Sequence, residues 1–248
     1  MRVGGEIAHK PARLVAPDEP VELTGNGPRF VSRGGEKLDA ALERFDVAVT
    51  RRRAIDCGAS TGGFSDALLQ RGADEVVAVD VGHGQLHPSL AHHPRLRSVE
   101  RTSVRGIDPR VVGGPADIVV ADLSFISLTL VAPDLAALCR DGGDLIVLVK
   151  PQFEAGRAVV SRGRGIVTDP GAWLGALHQV HDALVSQGTA IMGAMASPLL
   201  GADGNVEFLM HGRAPRRIER VSATTSSARP DLLADAVAEA EARRGSHG

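Results

Sequence analysis

The sequence predicts a doubly wound α/β fold built on a seven-stranded sheet, mostly parallel, with an antiparallel hairpin at one edge. Two observations lead there. Short apolar runs rich in valine and isoleucine alternate with stretches at helical spacing, the pattern of strand–helix–strand units in a parallel sheet. The last two runs, at 189–196 and 205–210, are separated by about ten residues, too few for a helical crossover, so they must pair antiparallel. A chain of 248 residues is long enough to bury one sizeable core around such a sheet.

Taken in order, residues 1–27 form a turn-rich unit in which Gly4-Gly5, Lys10-Pro11, Ala16-Pro17-Asp18 and Gly25-Asn26-Gly27 punctuate brief apolar pairs. Two or three small strands fit there, without a core of their own. Behind Gly34-Gly35, the residues Leu38, Ala41, Leu42 and Phe45 recur at helical spacing, giving a helix over 32–45. Strands follow at 54–58, 75–80, 96–100, 116–123 and 144–150. The helices between them fall at 63–70, stopped by Gly72, at 86–91 and at 128–140. Residues 151–168, with three glycines and three arginines, read as a long loop, and 169–187 as a helix. The tail from Arg213 is basic, then rich in Ser and Thr, and ends in an Ala/Glu helix at 232–243.

Composition excludes several function classes. No run approaches the ~18 apolar residues of a membrane helix, and the first residues lack the apolar segment of a secretory signal, so a cytoplasmic protein is expected. Two cysteines, Cys57 and Cys139, make neither a disulfide framework nor a four-ligand zinc site. His83, His87, His92 and His93 lack a completing carboxylate or thiol, so no metal is expected. A net charge of −2 gives no global attraction to nucleic acid, and phosphate contacts would have to be local. The candidate patches are Arg51-Arg52-Arg53, the trio Arg157, Arg162 and Arg164, and the group Arg213, Arg216, Arg217 and Arg220. Of 28 basic residues only Lys10, Lys37 and Lys150 are lysines. Where arginine serves almost everywhere, each lysine is a place to look for a role that guanidinium cannot fill, for instance one in which the group must lose a proton.

The chemistry concentrates at strand ends. Asp56-Cys-Gly-Ala-Ser-Thr-Gly-Gly-Phe64 joins the first large strand to its helix, where doubly wound sheets hold a ligand. Its glycines, Gly58, Gly62 and Gly63, break the G-x-G-x-x-G spacing of dinucleotide-binding oxidoreductases. A carboxylate there, Asp56, repels a pyrophosphate and suits a cationic ligand such as S-adenosylmethionine, which carries an ammonium and a sulfonium. Asp80 ends the second strand, where it can accept from both hydroxyls of a ribose. Asp122 and Lys150 end the fourth and fifth strands and point into the same crevice; a strand-end salt bridge is the plainer reading of that pair. Lys37, on the helix before the sheet, and Glu207, inside the late strand, are the remaining charged residues within reach.

These residues sit in segments that resemble the TlyA family of S-adenosylmethionine-dependent RNA methyltransferases, with its FtsJ-like catalytic domain. The segments are Val31-Ser-Arg-Gly-Gly-Glu-Lys-Leu38, the glycine turn to Phe64, Val79-Asp-Val-Gly-His-Gly-Gln-Leu86, Glu100-Arg-Thr-Ser-Val-Arg105, Ala121-Asp-Leu-Ser-Phe-Ile-Ser-Leu128, Val149-Lys-Pro-Gln-Phe-Glu-Ala-Gly156, Gly165-Ile-Val-Thr-Asp-Pro170 and Ser197-Pro-Leu-Leu-Gly-Ala-Asp-Gly-Asn-Val-Glu-Phe208. The resemblance implies a Rossmann-like sheet of the class I methyltransferase type. It implies a catalytic set of Lys37, Asp122, Lys150 and Glu207, with Lys150 as proton acceptor, and 2′-O-methylation of cytidine in small- and large-subunit ribosomal RNA. Cofactor positions fall at Asp56, Gly58, Ala59, Ser60, Gly62, Gly63, Phe64, Asp80, Val81, Thr102 and Asp122. RNA contacts are expected at Arg33, Arg157, Arg162 and Arg164, with Phe125 or Phe153 as the residues on which a base stacks. Residues 1–27 resemble only the closing strands of the RNA-binding domain that precedes the catalytic domain in this family, with a linker at 28–31, the catalytic domain at 32–212 and a tail at 213–248. The reduced N-terminal part leaves a small-molecule acceptor as the alternative substrate. Around His83 and His87 the sequence departs from the family pattern.

Overall fold

The computed structural model describes residues 2–7, 14–22, 27–154, 165–215 and 231–245. Near the N-terminus, β1 (Arg2–Val3), β2 (Glu6–Ile7) and β3 (Val21–Glu22) form a small antiparallel sheet in the order β2-β1-β3.

The main sheet contains β4 (Arg53–Cys57), β5 (Glu75–Val79), β6 (Leu96–Val99), β7 (Ala116–Ala121), β8 (Cys139–Val149), β9 (Ala190–Ala196) and β10 (Phe208–Arg213), in the order β6-β5-β4-β7-β8-β10-β9. The first five run parallel, while β10 pairs antiparallel with both β8 and β9. This is the seven-stranded mixed sheet that the alternation and the short final connection predict.

Side chains alternate across each strand, so one sheet supplies two cores. Ala54, Val76, Ile118, Val120, Ile146 and Leu148 face α1 (Arg33–Arg44) and α2 (Gly63–Gln70), packing with Leu38, Leu42 and Leu68. Ile55, Val77, Val119, Val147 and Phe208 face the other way, against α4 (Ala132–Leu138), α6 (Pro170–Ser186) and α7 (Asp231–Gly245). Two one-turn helices, α3 (Pro88–Ala91) and α5 (Pro151–Glu154), complete the set among the described residues. The helix α7 also covers the edge strand β9: Ala196 N donates to Glu239 at 3.1 Å, and Arg243 donates to the Ser197 carbonyl at 2.8 Å.

The strand expected at 144–150 already begins at Cys139, and the segment read as a loop from 151 opens with the helical turn α5. Two further boundaries differ, each for a local reason. The helix expected at 128–140 begins as a 3₁₀ turn, Leu128–Leu130, and becomes α-helical only at Ala132, because Pro133 is tolerated solely in a first turn. It then stops at Leu138, since Cys139 already pairs with Ala116. The last strand runs Phe208–Arg213 rather than 205–210, so Glu207 lies just before it and not within it. The register Phe208↔Val149 then sets Glu207 beside Lys150 at one end of the sheet. At the opposite end a buried Asp144 gathers Arg52 at 2.8 Å, His211 at 2.9 Å and Arg213 at 3.1 Å. Burial raises that carboxyl, but the hydrogen bonds from His211, Arg52 and Arg213 outweigh it and hold the group well below the usual carboxylate range.

Candidate active site

The glycine turn is shaped by close approaches that a side chain would block. Gly58 has φ +85°, and a Cβ there would lie 2.6 Å from the Asp122 carbonyl, which presses β4's exit against β7's. At Gly63 a Cβ would lie 2.1 Å from Ser32 Oγ, so only glycine lets the first turns of α1 and α2 meet. The segment before α1 is tied to the same place, with Val31 N donating to Asp66 at 2.9 Å and Gln70 donating to the Arg29 carbonyl at 2.9 Å.

Two adjoining compartments open from this turn. The first, about 450 Å³, is lined by Asp80, Val81, Gln85, Thr102, Val104 and Arg105, among others. The Asp80 carboxylate is preset there: Ser60 N donates to Oδ2 at 2.8 Å and Gly82 N to Oδ1 at 2.7 Å. The second, about 400 Å³, is lined by Ser32, Arg33, Lys37, Phe64, Lys150 and Glu207. Gly58, Ser60, Asp122 and Ser124 belong to both, so the two volumes meet at Asp122.

Two ion pairs stand at that junction. Lys37 Nζ donates to Glu207 Oε2, and both side chains are buried, at 9% and 4% exposure. Lys150 Nζ lies 2.6 Å from Asp122 Oδ1, an approach too bent for a hydrogen bond, and donates to Ser124 Oγ at 2.9 Å. The Phe153 ring lies 5.9 Å from the same amine and pairs with Phe125 at 5.4 Å between centroids. Both described lysines thus occupy one cleft; Lys10 lies outside the described residues.

Of the other residues singled out in the sequence, Gly58, Ala59, Ser60, Gly63, Phe64, Asp80, Val81, Thr102 and Asp122 line the cleft. Gly62, with φ +92°, starts α2 without lining it. Asp56 sits behind the turn, fully buried, with Ser65 Oγ donating to Oδ2 at 2.7 Å and Oδ1 without a hydrogen-bond partner. Burial pushes its carboxyl up to about 7, and the charges of Asp122 and Asp80 push the same way against the Ser65 hydrogen bond. Arg33 is exposed on the rim of the second compartment and makes no ion pair among the described residues. Arg157, Arg162 and Arg164, with Arg216, Arg217 and Arg220, lie outside the described residues. Arg52 and Arg53 are occupied at the far end of the sheet, Arg52 by Asp144 and Arg53 by Glu75 and the carbonyls of Val112 and Gly114.

Sequence reasoning passed over Ser32, Gln85, Val104, Arg105 and Ser124. Ser124 shares its segment with Asp122, but a serine two residues beyond a strand-end aspartate is no signal until the fold brings Lys150 to it. Among the described residues no three His, Cys, Asp or Glu side chains gather as a metal site, and no helix is long and apolar enough to cross a membrane.

The strand order, with the glycine turn below two strand-end carboxylates, is the seven-stranded fold of class I S-adenosylmethionine-dependent methyltransferases. Bradyrhizobium japonicum NodS, an N-methyltransferase, shares that fold at 14% identity, with a TM-score of 0.54 over 75% of this chain and 99% of NodS. The chain belongs to the FtsJ-like methyltransferase family, whose model matches residues 30–214. Within that family it groups with TlyA. The Mycobacterium tuberculosis 16S/23S rRNA (cytidine-2′-O)-methyltransferase TlyA is 46% identical over 211 residues, 85% of this chain and 78% of that protein. A solved Streptococcus thermophilus protein that carries the name hemolysin is 39% identical, with a TM-score of 0.76 over 92% of this chain and 81% of that one.

Proposed function

We propose that this methyltransferase acts on ribosomal RNA, transferring a methyl group from S-adenosylmethionine to the 2′-hydroxyl of a cytidine, with Lys150 as the proton acceptor. The observation that carries this reading is the meeting of two compartments at Asp122, one with the preset Asp80 carboxylate and one with two lysines, each beside an acid. The residues suit the donor. Asp80 is held by two backbone N–H groups and keeps lone pairs for ribose hydroxyls, the small residues Gly58 and Ser60 line both compartments, and Asp80 and Asp122 favour a cation. When bound, the donor supplies a methyl group already activated by its sulfonium.

The rest falls to this chain's side chains. A ribose hydroxyl in the second compartment lies between Lys150 and the paired Lys37 and Glu207, which fix its direction. Alignment of this kind contributes ~7–11 kcal/mol. Lys150 acts as the neutral amine, its own proton first released to solvent and its place set by Ser124 and Asp122, and it takes the hydroxyl proton as the oxygen attacks. Arg33 receives a flanking phosphate, and the exposed Phe125 ring takes a base.

The test uses labelled S-adenosylmethionine and ribosomal subunits lacking the modification. Wild type places label on RNA as 2′-O-methylcytidine. Lys150→Arg keeps the charge but cannot act as a base, and its transfer falls about 10²- to 10⁴-fold while donor binding persists. Donor binding without any transfer to RNA refutes the substrate, and an active Lys150→Arg refutes the base.

A further inference from the structure

Glu154 is 8% exposed, lines neither compartment and has no part in the reaction as written above. Its two oxygens are nevertheless fully engaged, Oε1 accepting from Leu128 N at 2.8 Å and Oε2 from Ser127 Oγ. Ser127 and Leu128 close the loop that leaves β7, and the same loop carries Asp122, Ser124 and Phe125.

That loop holds a strained residue. Phe125 has φ +64° and is 92% exposed. A bulky side chain in the left-handed region costs about 1–3 kcal/mol and persists only where its surroundings over-determine it. Three contacts do so, all from the five residues that begin at Lys150: Lys150 Nζ to Ser124 Oγ at 2.9 Å, the Phe153 ring to the Phe125 ring at 5.4 Å, and Glu154 to Ser127 and Leu128. The first of these contacts sets the amine. The last is the deepest and the only one in which a buried carboxylate accepts two hydrogen bonds.

We propose that Glu154 is a positioning residue for methyl transfer, anchoring the loop after β7 to the Lys150 segment so that Ser124 and Asp122 hold the Lys150 amine in its working place. The role rests on the methyl-transfer reading above. It acts through Ser124, since Glu154 itself reaches no reacting atom. Burial raises the Glu154 carboxyl above its ordinary range, yet the hydrogen bonds from Ser127 and Leu128 do not require a charge on it. A glutamine accepts from Leu128 N through its carbonyl oxygen and donates to Ser127 Oγ through its amide nitrogen. An alanine does neither.

The experiment compares wild type, Glu154→Gln and Glu154→Ala at a temperature where melting curves show all three folded. Two readouts are taken: steady-state transfer to unmethylated subunits, and amide hydrogen exchange of the peptide covering 123–128. The expected result is that Glu154→Ala lowers kcat about 10- to 100-fold, because a displacement near 1 Å at the reacting centre costs that much. Its KM for the donor changes far less, its loop amides exchange faster, and Glu154→Gln restores both readouts. A Glu154→Ala enzyme with kcat near wild type overturns the proposal, as does unchanged exchange in the loop or a glutamine that fails to rescue. The substrate reading fails separately, if wild type itself transfers nothing to RNA; the hydrogen exchange then still reports whether Glu154 holds the loop.

Discussion

The buried pair Lys37–Glu207 lets stability and chemistry be pulled apart. The two residues are 170 positions apart in sequence and meet with side chains 9% and 4% exposed. Lys37→Met strands a carboxylate beside Gly201, and Glu207→Leu strands the buried ammonium that Lys37 carries on α1. Leaving one member of a buried pair without its partner costs about 3–5 kcal/mol. For a chain of this size each kcal/mol lowers the melting temperature by about 2–4 °C, so either single variant should melt about 6–20 °C below wild type. The double variant places two apolar side chains of similar volume where the pair stood, an exchange that is often close to neutral. It should therefore melt above both single variants. Its methyl transfer should stay lost, because Lys150 remains but nothing then fixes the direction of the acceptor hydroxyl. Thermal melting by circular dichroism measures the first quantity and labelled transfer to ribosomal subunits the second. Raising the salt concentration should leave the coupling intact, since a buried pair is poorly screened. If the single losses simply add in the double variant, the pair is not coupled and the reasoning is wrong.

Two further outcomes follow from the acidic residues around the glycine turn. Asp80→Ala removes a carboxylate that two backbone N–H groups hold in place, and with it, on the proposed reading, two charge-assisted hydrogen bonds to the donor's ribose. At about 1.5–3 kcal/mol each, their loss should weaken donor binding about 100-fold or more by calorimetry, and an unchanged affinity would refute the assignment. Asp56 makes the donor-free protein pH-sensitive. Its carboxyl ionises near pH 4 in an unfolded chain but is pushed up to about 7 when folded, so between those values the folded state binds the extra proton. Stability is then full below the unfolded value and is lost as pH rises through the folded one, a difference of about 4 kcal/mol at full ionisation. Melting temperatures of wild type should fall across that window, and Asp56→Asn should flatten the slope; parallel curves for the two proteins would exclude Asp56 as the source.

Where the strands and helices lie was legible because burial imposes a period on the sequence. Ile146 and Leu148 face one helical layer while Leu145, Val147 and Val149 face the other, so the last five residues of β8 read as an unbroken apolar run. The late hairpin followed from the length of one connection. Boundaries were less legible. Pro133 and the pairing of Cys139 shortened the helix expected at 128–140, and β10 began three residues later than its apolar pattern indicated. The glycine turn stood out as a motif, yet its reason, the approach of Asp122 O to Gly58 and of Ser32 to Gly63, involves residues far away in the chain.

The sequence alone determined the alternation of strands and helices and the acidic ends of β5 and β7, because these depend on neighbours a few residues apart. It also offered Lys37 and Lys150 as rare lysines in an arginine-rich chain. Which of these groups act on one another was decided only by the tertiary structure. The antiparallel register of β10 on β8 brings Glu207 beside Lys150, the contact of α1 with α2 delivers Lys37 to Glu207, and the turn after Lys150 seats Glu154 under the Ser124 loop. Pairings across so many intervening residues are set by how a folded sheet aligns its strand ends, and no local pattern in the chain records that alignment.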